Sequence, residues 1–254
     1  MALGRGIVDI FAWSPLVMTL PFIIVGGIAF FLGAGFLAVF ARQAADNPLT
    51  MPVAAFVGTI TTAWALSLGF TAADVWSVNS RASQVASEER SSMMRLAGMA
   101  KPEALASAEL MAGLVAYKDA VVSMEWRNAN RSPEQSVEQA LQSIRLALID
   151  LAKAGHPDPV IGQMVQDFDE LQDARNSRLA IGTSSVNQLK WYLVLFLTML
   201  SAIVVGAVHA DRPHAGRKAI LIFAVTAGVS LWILALHANP YVGVAQVTLG
   251  EVRL

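Results

Sequence analysis

The 254-residue chain contains no cysteine, and only 15% of its residues are charged. The absence of cysteine excludes disulfide bonds, thiolate nucleophiles and thiolate metal sites. Soluble domains carry about a quarter of charged residues, so a chain with 55% hydrophobic residues lacks the polar surface of a soluble enzyme. A formal net charge of -1 supplies no basic patch for nucleic acid, and we expect no such partner. The composition predicts an integral membrane protein.

Four long stretches without charged residues predict four transmembrane helices, because a charge at a helix centre costs about 2.5 to 3.5 kcal/mol on insertion. The first stretch is too long for the apolar part of a signal peptide, and no small-residue cleavage motif follows it. An N-terminal segment precedes the spans and a C-terminal tail follows them. In order, the predicted segments are residues 1–15, the spans 16–41, 52–74, 191–210 and 219–238, and the tail 239–254.

Residues 75–190, between the second and third spans, contain 12 of the 18 Lys and Arg and 14 of the 19 Asp and Glu residues. This charge predicts an extramembrane domain. Its apolar residues recur at helical spacing and show no strand-like alternation. Ser132, Pro133 and Gln135 predict the start of one of its helices, with Ser132 as the N-cap. The predicted fold class is therefore all-α, with four spans and a helical bundle inserted between the second and third.

The second and third spans are predicted to continue out of the membrane as long helices of this domain. No proline follows Pro52 until after Met99, and none lies between Val160 and Ala210. Isolated glycines in these segments are tolerated within helices. Basic residues just outside the membrane on the domain side favour a cytoplasmic domain.

Charged residues interrupt two apolar stripes in the predicted long helices. The charged candidates are Arg81, Glu88, Glu89, Arg175 and Arg178. In one interpretation the arginines line a vestibule and concentrate an anion at a pore mouth. In the other they form interhelical ion pairs with Glu88, Glu89 or Glu125, or extend to lipid phosphate, and such ion pairs are common in helical bundles.

No predicted span carries an ionisable residue near its centre, which argues against a proton pump and fits a passive pore. On the second span Phe56, Ile60 and Trp64 recur every four residues and share one face. If that face lined an axis shared by several subunits, it would form a hydrophobic constriction that gates by dewetting. Otherwise the face contacts lipid or another helix.

Motifs of enzymes are absent from the sequence. The four histidines form no metal-binding spacing, and there is no phosphate loop or nucleophile elbow. An acidic run on a predicted helix lacks the glycine turn of a calcium loop. We therefore predict no enzymatic activity, no metal and no cofactor.

Several short motifs carry a family resemblance. They are Tyr117, Glu125 and Trp126 in the domain, the segment Ala174-Arg175-Asn176-Ser177-Arg178-Leu179 before the third span, and Asn239, Pro240, Tyr241, Val242 and Gly243 after the fourth. Together with the order of spans, these motifs resemble the bacterial bestrophin-like membrane family. The resemblance extends from about Pro52 to Gly250.

The resemblance implies a ring of subunits in the bacterial inner membrane, with the second spans around a central pore and a cytoplasmic helical vestibule. It would make Phe56, Ile60 and Trp64 gate residues and Arg175 and Arg178 vestibule residues. The resemblance does not predict the ion selectivity of this protein, because bestrophin relatives include both anion- and cation-conducting members. The acidic calcium clasp of animal bestrophins has no counterpart in this sequence.

The predicted function is passive conduction of small inorganic ions, with anions favoured, by a homo-oligomeric channel in the lipid bilayer. The alternative is a membrane-anchored interaction or scaffold protein whose helical domain binds a partner and which transports nothing.

Overall fold

The computed structural model describes residues 14–46, 54–126, 132–184, 188–241 and 246–250. This part of the chain forms seven α-helices and contains no strand, so the predicted all-α class is confirmed. A π-helical turn, Val121–Glu125, continues the third helix. The helices are α1 (Pro15–Asp46), α2 (Ala54–Ala100), α3 (Ala108–Ala120), α4 (Gln135–Lys153), α5 (Asp158–Ser184), α6 (Gln188–Val208) and α7 (Pro213–Leu236).

Helices α1, α2, α6 and α7 are long and apolar enough to cross a membrane, as the charge pattern predicts. Helix α2 runs unbroken for 47 residues, which is about 70 Å at 1.5 Å per residue. The sequence predicts one continuous helix over residues 160–210, whereas the structure has two helices there, α5 and α6. Their junction at residues 185–187 lies outside the described part of the chain.

The chain divides into two compact units. The first comprises Met1–Ser77 and Val186–Ala245, and the second comprises Val78–Ser185 and Gln246–Leu254. The second unit is therefore built from two pieces of sequence that are separated by two membrane spans.

In the first unit α1 packs against α6 and α7, which also contact each other. Two glycines bring α1 and α6 together. A Cβ atom on Gly33 would lie 2.7 Å from the carbonyl oxygen of Ala202, and one on Gly206 would lie 2.7 Å from the carbonyl oxygen of Gly33. Small residues at such contacts let helix backbones approach closely, which is how transmembrane helices associate without a hydrophobic driving force.

The membrane-spanning part of α2 is much less covered than the other spans. Only 6% of its most apolar 18-residue stretch is buried, against 22% to 44% in α1, α6 and α7. Its contacts within the first unit include Trp64, whose Nε1 donates a hydrogen bond to Thr198 Oγ1 at 2.9 Å. The Trp64 ring also meets Phe223 edge-on, with 5.1 Å between the ring centroids.

In the second unit the later part of α2 and helices α3, α4 and α5 enclose a continuous apolar core. Leu249, from the C-terminal segment, is buried in the same core. The predicted N-cap at Ser132 is wrong, because α4 begins at Gln135 with Glu134 at the cap position. The backbone N–H of Glu134 instead donates to Glu125 Oε1 at 3.2 Å, so a carboxylate from the preceding π-helical turn satisfies it.

Candidate functional site

Four charged side chains from three separate segments lie together in the interior of the second unit. Glu89 comes from α2, Glu125 from the π-helical turn, and Arg175 and Arg178 from α5. Their residues are between 0% and 4% exposed. We call these four residues the buried ion-pair cluster. Isolated charges at this depth would each cost several kcal/mol, so the arrangement must compensate all four.

Arg178 joins the two glutamates of the cluster. Its Nε donates to Glu89 Oε2 at 2.7 Å, and its Nη2 donates to Glu89 Oε1 at 3.0 Å and to Glu125 Oε2 at 2.7 Å. The guanidinium also lies over the ring of Trp126, 4.7 Å from its centroid. A planar guanidinium can form such a two-oxygen contact and stack on an aromatic face at the same time, which a lysine cannot do.

Arg175 connects the cluster to a more exposed acid. Its Nη2 donates to Glu125 Oε1 at 2.6 Å, and its Nη1 donates to Glu138 Oε1 at 2.8 Å. The Glu138 side chain, on α4, is 56% exposed. The cluster therefore reaches solvent at Glu138, while the contact between Arg175 and Glu125 is fully enclosed.

Two neutral residues complete the surroundings of the cluster. The hydroxyl of Tyr117 donates to Glu89 Oε1 at 2.6 Å. The indole Nε1 of Trp126 donates to the carbonyl oxygen of Val247 at 3.0 Å, which ties the C-terminal segment to the residue that covers Arg178. Two positive and two negative buried charges are thus balanced and hydrogen-bonded.

The titration of these groups follows from burial and from their partners. Burial alone would raise the pKa of Glu125, but the hydrogen bonds and charges of Arg175 and Arg178 outweigh it, so this pKa lies below its ordinary value. Burial and the charge of Glu89 raise the pKa of Tyr117 well above its ordinary value. Burial opposes the charge of Arg178, yet Glu89 outweighs it and the pKa is raised. Glu125, Arg175 and Arg178 are therefore held in their charged forms near neutral pH.

The π-helical turn places two of the site residues. It is closed by a hydrogen bond from the Trp126 N–H to the Val121 carbonyl at 2.8 Å. Such a turn adds one residue to the usual helical repeat and often occurs at functional sites. Here Glu125 lies in the interior beside α5, and the next residue, Trp126, lies over Arg178.

The remaining charged candidates lie outside the cluster. Glu88 is exposed and accepts a hydrogen bond from Gln84 Nε2 at 2.9 Å. Arg81 is exposed as well. The structure therefore brings Glu89 together with Arg175 and Arg178 and leaves Glu88 and Arg81 on the surface.

The C-terminal motif residues and the predicted pore residues lie in the first unit. Asn239 Oδ1 accepts a hydrogen bond from the Tyr241 N–H at 3.1 Å, and Pro240 is buried. Gly243 lies outside the described residues. On α2, Phe56 is 49% exposed, and Ile60 and Trp64 are partly buried.

The covered and uncovered faces of α2 can be separated along its membrane-spanning part. Trp64, Thr71 and Val75 follow one face by steps of seven and four, and the latter two are buried. The opposite face carries Leu66 and Phe70, whose exposed fractions are 57% and 66%. Residues four apart lie on one side of a helix, so this exposed face is distinct from the one that carries Trp64.

Among the described residues, sequence reasoning missed four ion pairs between helices. These are Arg175 with Glu138, Arg95 with Asp167, Arg95 with Glu170, and Lys190 with Asp74. Their members lie on different helices, and no spacing in the sequence relates them. Within the part of the chain that is described, no group of three or more His, Asp or Glu side chains is placed to hold a metal ion.

Four of the helices are apolar enough to cross a membrane, and buried ion pairs join the helices of the second unit. These features define a helical membrane protein with a substantial charged portion. A family model, the Bestrophin-like domain, matches residues 23–250. The chain belongs to the bestrophin-like family.

One solved structure shows the same fold. A mutant of a bacterial bestrophin homologue from Klebsiella pneumoniae superimposes with a TM-score of 0.67, and the match covers 90% of this chain and 93% of that one. The sequence identity is 16%. No curated protein sequence matches the chain significantly.

Proposed function

We propose that this protein is an ion channel in which several copies surround a pore lined by α2. The observation that carries the proposal is the exposure of the α2 span, of which only 6% is buried within one chain. A span with so little cover in its own subunit has a surface available to neighbouring subunits and to a pore. Membership of the bestrophin-like family supports the same arrangement.

The constriction of the proposed pore lies on the exposed face of α2. Thr62, Leu66 and Phe70 follow this face at intervals of four residues, and all three are exposed. Two large apolar side chains beside a hydroxyl can narrow a pore and gate it by dewetting. We prefer this face to Phe56, Ile60 and Trp64, because the Trp64 indole is bound to Thr198 within its own subunit.

The buried ion-pair cluster has a structural role in this proposal. Its two arginines are neutralised by Glu89 and Glu125, so they add little positive potential to a vestibule. The expected preference for anions therefore gains no support from Arg175 and Arg178, and we propose passive conduction of small ions without assigning their sign. We further propose that residues 75–190 form a cytoplasmic vestibule and that the membrane is the bacterial inner membrane.

Reconstitution tests the proposal directly. Native mass spectrometry first establishes the number of subunits, and the same preparation is then placed in liposomes with potassium- and chloride-sensitive dyes. We expect an oligomer that carries flux of at least one ion. An oligomer that carries no ion would contradict the channel. A monomer or dimer whose domain captures one specific protein would instead support the scaffold alternative.

A further inference from the structure

A nearly apolar groove lies between α1 and α7 in the first unit. It extends from Thr19 to Phe30 on α1 and from Leu221 to Trp232 on α7, with a volume of about 480 Å³. We call it the α1–α7 groove. Its volume falls within the range of about 300–1,000 Å³ that is typical of small-ligand sites.

The two walls of the groove run antiparallel. A Cβ atom on Gly26 would lie 3.3 Å from the Ala224 carbonyl oxygen, and one on Gly228 would lie 3.3 Å from the Phe22 carbonyl oxygen. These contacts place Thr19 and Trp232 at the same end of the groove. Gly26 and Gly228 thus lie where the two helices approach closely, and a larger side chain at either position would meet the opposite backbone.

The length of the groove matches one half of a bilayer. Eleven helical steps from Thr19 to Phe30, and eleven from Leu221 to Trp232, each span about 16 Å. The hydrocarbon core of a bilayer is about 30 Å thick, so one leaflet accounts for about 15 Å. The Trp232 end lies four residues before the end of α7 at Leu236, which is about 6 Å from the helix terminus.

One residue of the groove lining carries a polar side-chain atom that lacks a partner. Trp232 Nε1 is enclosed and has no hydrogen-bond acceptor among the described residues. The Thr19 hydroxyl, by contrast, already donates to the Leu16 carbonyl at 2.6 Å. An unsatisfied enclosed N–H costs about 1–3 kcal/mol, so a small turn of the indole toward an acceptor in the groove would be favourable.

We propose that the α1–α7 groove binds one acyl chain of a diacyl phospholipid, whose ester carbonyl accepts a hydrogen bond from Trp232. The bound lipid belongs to the leaflet at which α1 begins and α7 ends. Tryptophan is common at this depth because its ring is apolar while its N–H reaches the polar boundary. The apolar walls suit the methylene chain, and the indole N–H suits an ester carbonyl, which is an acceptor at the boundary between the acyl chains and the headgroups.

Glycine variants provide a matched test. Gly27 lines the groove and a Cβ atom there would meet nothing within 4 Å, so we expect Gly27→Leu to occupy the groove without a clash at its Cβ atom. Gly35, on the same helix but outside the groove lining, also has open space around its Cβ position. Gly35→Leu is therefore the control for the added leucine itself.

The probe is phosphatidylethanolamine with a diazirine on one acyl chain, present at low mole fraction in vesicles containing the full-length protein. After illumination, mass spectrometry locates lipid adducts on peptides. We expect adducts on the groove segments of α1 and α7, lowered about tenfold in Gly27→Leu by steric overlap and unchanged in Gly35→Leu. Loss of one hydrogen bond in Trp232→Phe should weaken labelling about 2- to 10-fold.

Four results would contradict the proposal. The first is adducts spread evenly over all lipid-facing helices, and the second is equal labelling in Gly27→Leu and Gly35→Leu. The third is evidence that a second copy of this chain, rather than a lipid, occupies the groove. A photoreactive amino acid at Val229, which is 48% exposed, would then form a cross-linked protein dimer rather than a lipid adduct. Labelling in Trp232→Phe equal to that of the unmodified protein would exclude the hydrogen bond.

Discussion

The guanidinium of Arg178 lies 4.7 Å from the centroid of the Trp126 ring. The same indole donates its N–H to the Val247 carbonyl, so one side chain both covers a buried charge and binds the C-terminal segment. The two glutamates that neutralise Arg178 come from α2 and the π-helical turn. The cluster and Trp126 together therefore join four separate parts of the chain, and loss of the cluster should loosen the whole second unit.

Replacing Glu89 by glutamine should strongly destabilise the protein. The substitution removes the carboxylate that faces Arg178 and Tyr117, and a buried pair broken on one side costs about 3–5 kcal/mol. For a chain of this size we expect the apparent melting temperature in detergent to fall by on the order of 10 °C. Glu88→Gln, one residue away on the surface, is the control and should remain close to the unmodified protein. Equal melting temperatures for the two variants would contradict the buried pairing.

Arg175→Gln distinguishes an ion-pair partner from a vestibule residue. Since its guanidinium is engaged by Glu125 and Glu138, we expect lower thermal stability and unchanged ion selectivity in the liposome assay. The exposed Arg81→Gln serves as the control for removing a positive charge, with a stability change within about 0.5 kcal/mol. A shift in selectivity without any loss of stability would support the vestibule interpretation instead.

The stability of the protein should depend on the ionisation of Glu125 in acid. Because the pKa of Glu125 is lower in the folded protein than its ordinary value of 4.5, the folded state favours the charged form. This contribution is complete above pH 4.5 and is lost as the pH falls through the lower folded pKa. Melting temperatures measured from pH 7 to pH 3 should fall below pH 4.5. The slope in this acid range should be shallower in Glu125→Gln, whose stability is already reduced at pH 7.

Substitutions on the two faces of α2 are expected to have opposite effects on ion flux and stability. Leu66→Thr lies on the exposed face and should change ion flux while leaving stability nearly unaltered. Trp64→Phe removes the hydrogen bond to Thr198, which costs about 0.6 kcal/mol in a membrane bundle, and should leave flux unchanged. Liposome flux and melting temperature, measured on both variants, show which face of α2 lines the pore. If Trp64→Phe changed flux and Leu66→Thr did not, the pore would lie on the face of Phe56, Ile60 and Trp64.

Gly33→Ala should destabilise the contact between α1 and α6. The new methyl group would lie 2.7 Å from the Ala202 carbonyl oxygen and 2.9 Å from a methyl carbon of Ile220, and overpacking of this kind costs about 1–3 kcal/mol. Gly35→Ala adds the same methyl group into open space on the same helix. We expect a lower melting temperature for Gly33→Ala alone. Similar values for both variants would show that the helices separate at little cost.

Much of the fold could be predicted because water and hydrocarbon select different residues. The cost of placing a charge in the bilayer makes each span visible as an uncharged stretch. The residues at which helices begin and end are harder to predict from the sequence, as α4 illustrates. The helix begins at Gln135 rather than directly after Ser132, and the N–H of Glu134 at its cap position is satisfied by Glu125, a carboxylate whose position the local sequence does not indicate.

The candidate site was only partly predictable for a similar reason. Arg175, Arg178 and Glu89 can be recognised because they interrupt apolar stripes, but their pairing depends on how α2, α3 and α5 meet. The π-helical turn that places Glu125 has no sequence signature. On the apolar span of α2, periodicity identifies faces but not which face another helix covers, so Leu66 and Phe70 were not singled out.

The burial of Leu249 in the core of the second unit has a consequence for biosynthesis. The ribosome produces residues 78–185 first, but this unit lacks its last core side chain and the Val247 carbonyl until both remaining spans have been made. At roughly 5–20 residues per second, that delay is on the order of 3–13 s. Synthesis of α6 and α7 therefore precedes completion of the second unit. A fragment that stops at residue 190 would represent only the incomplete second unit that precedes synthesis of the C-terminal segment.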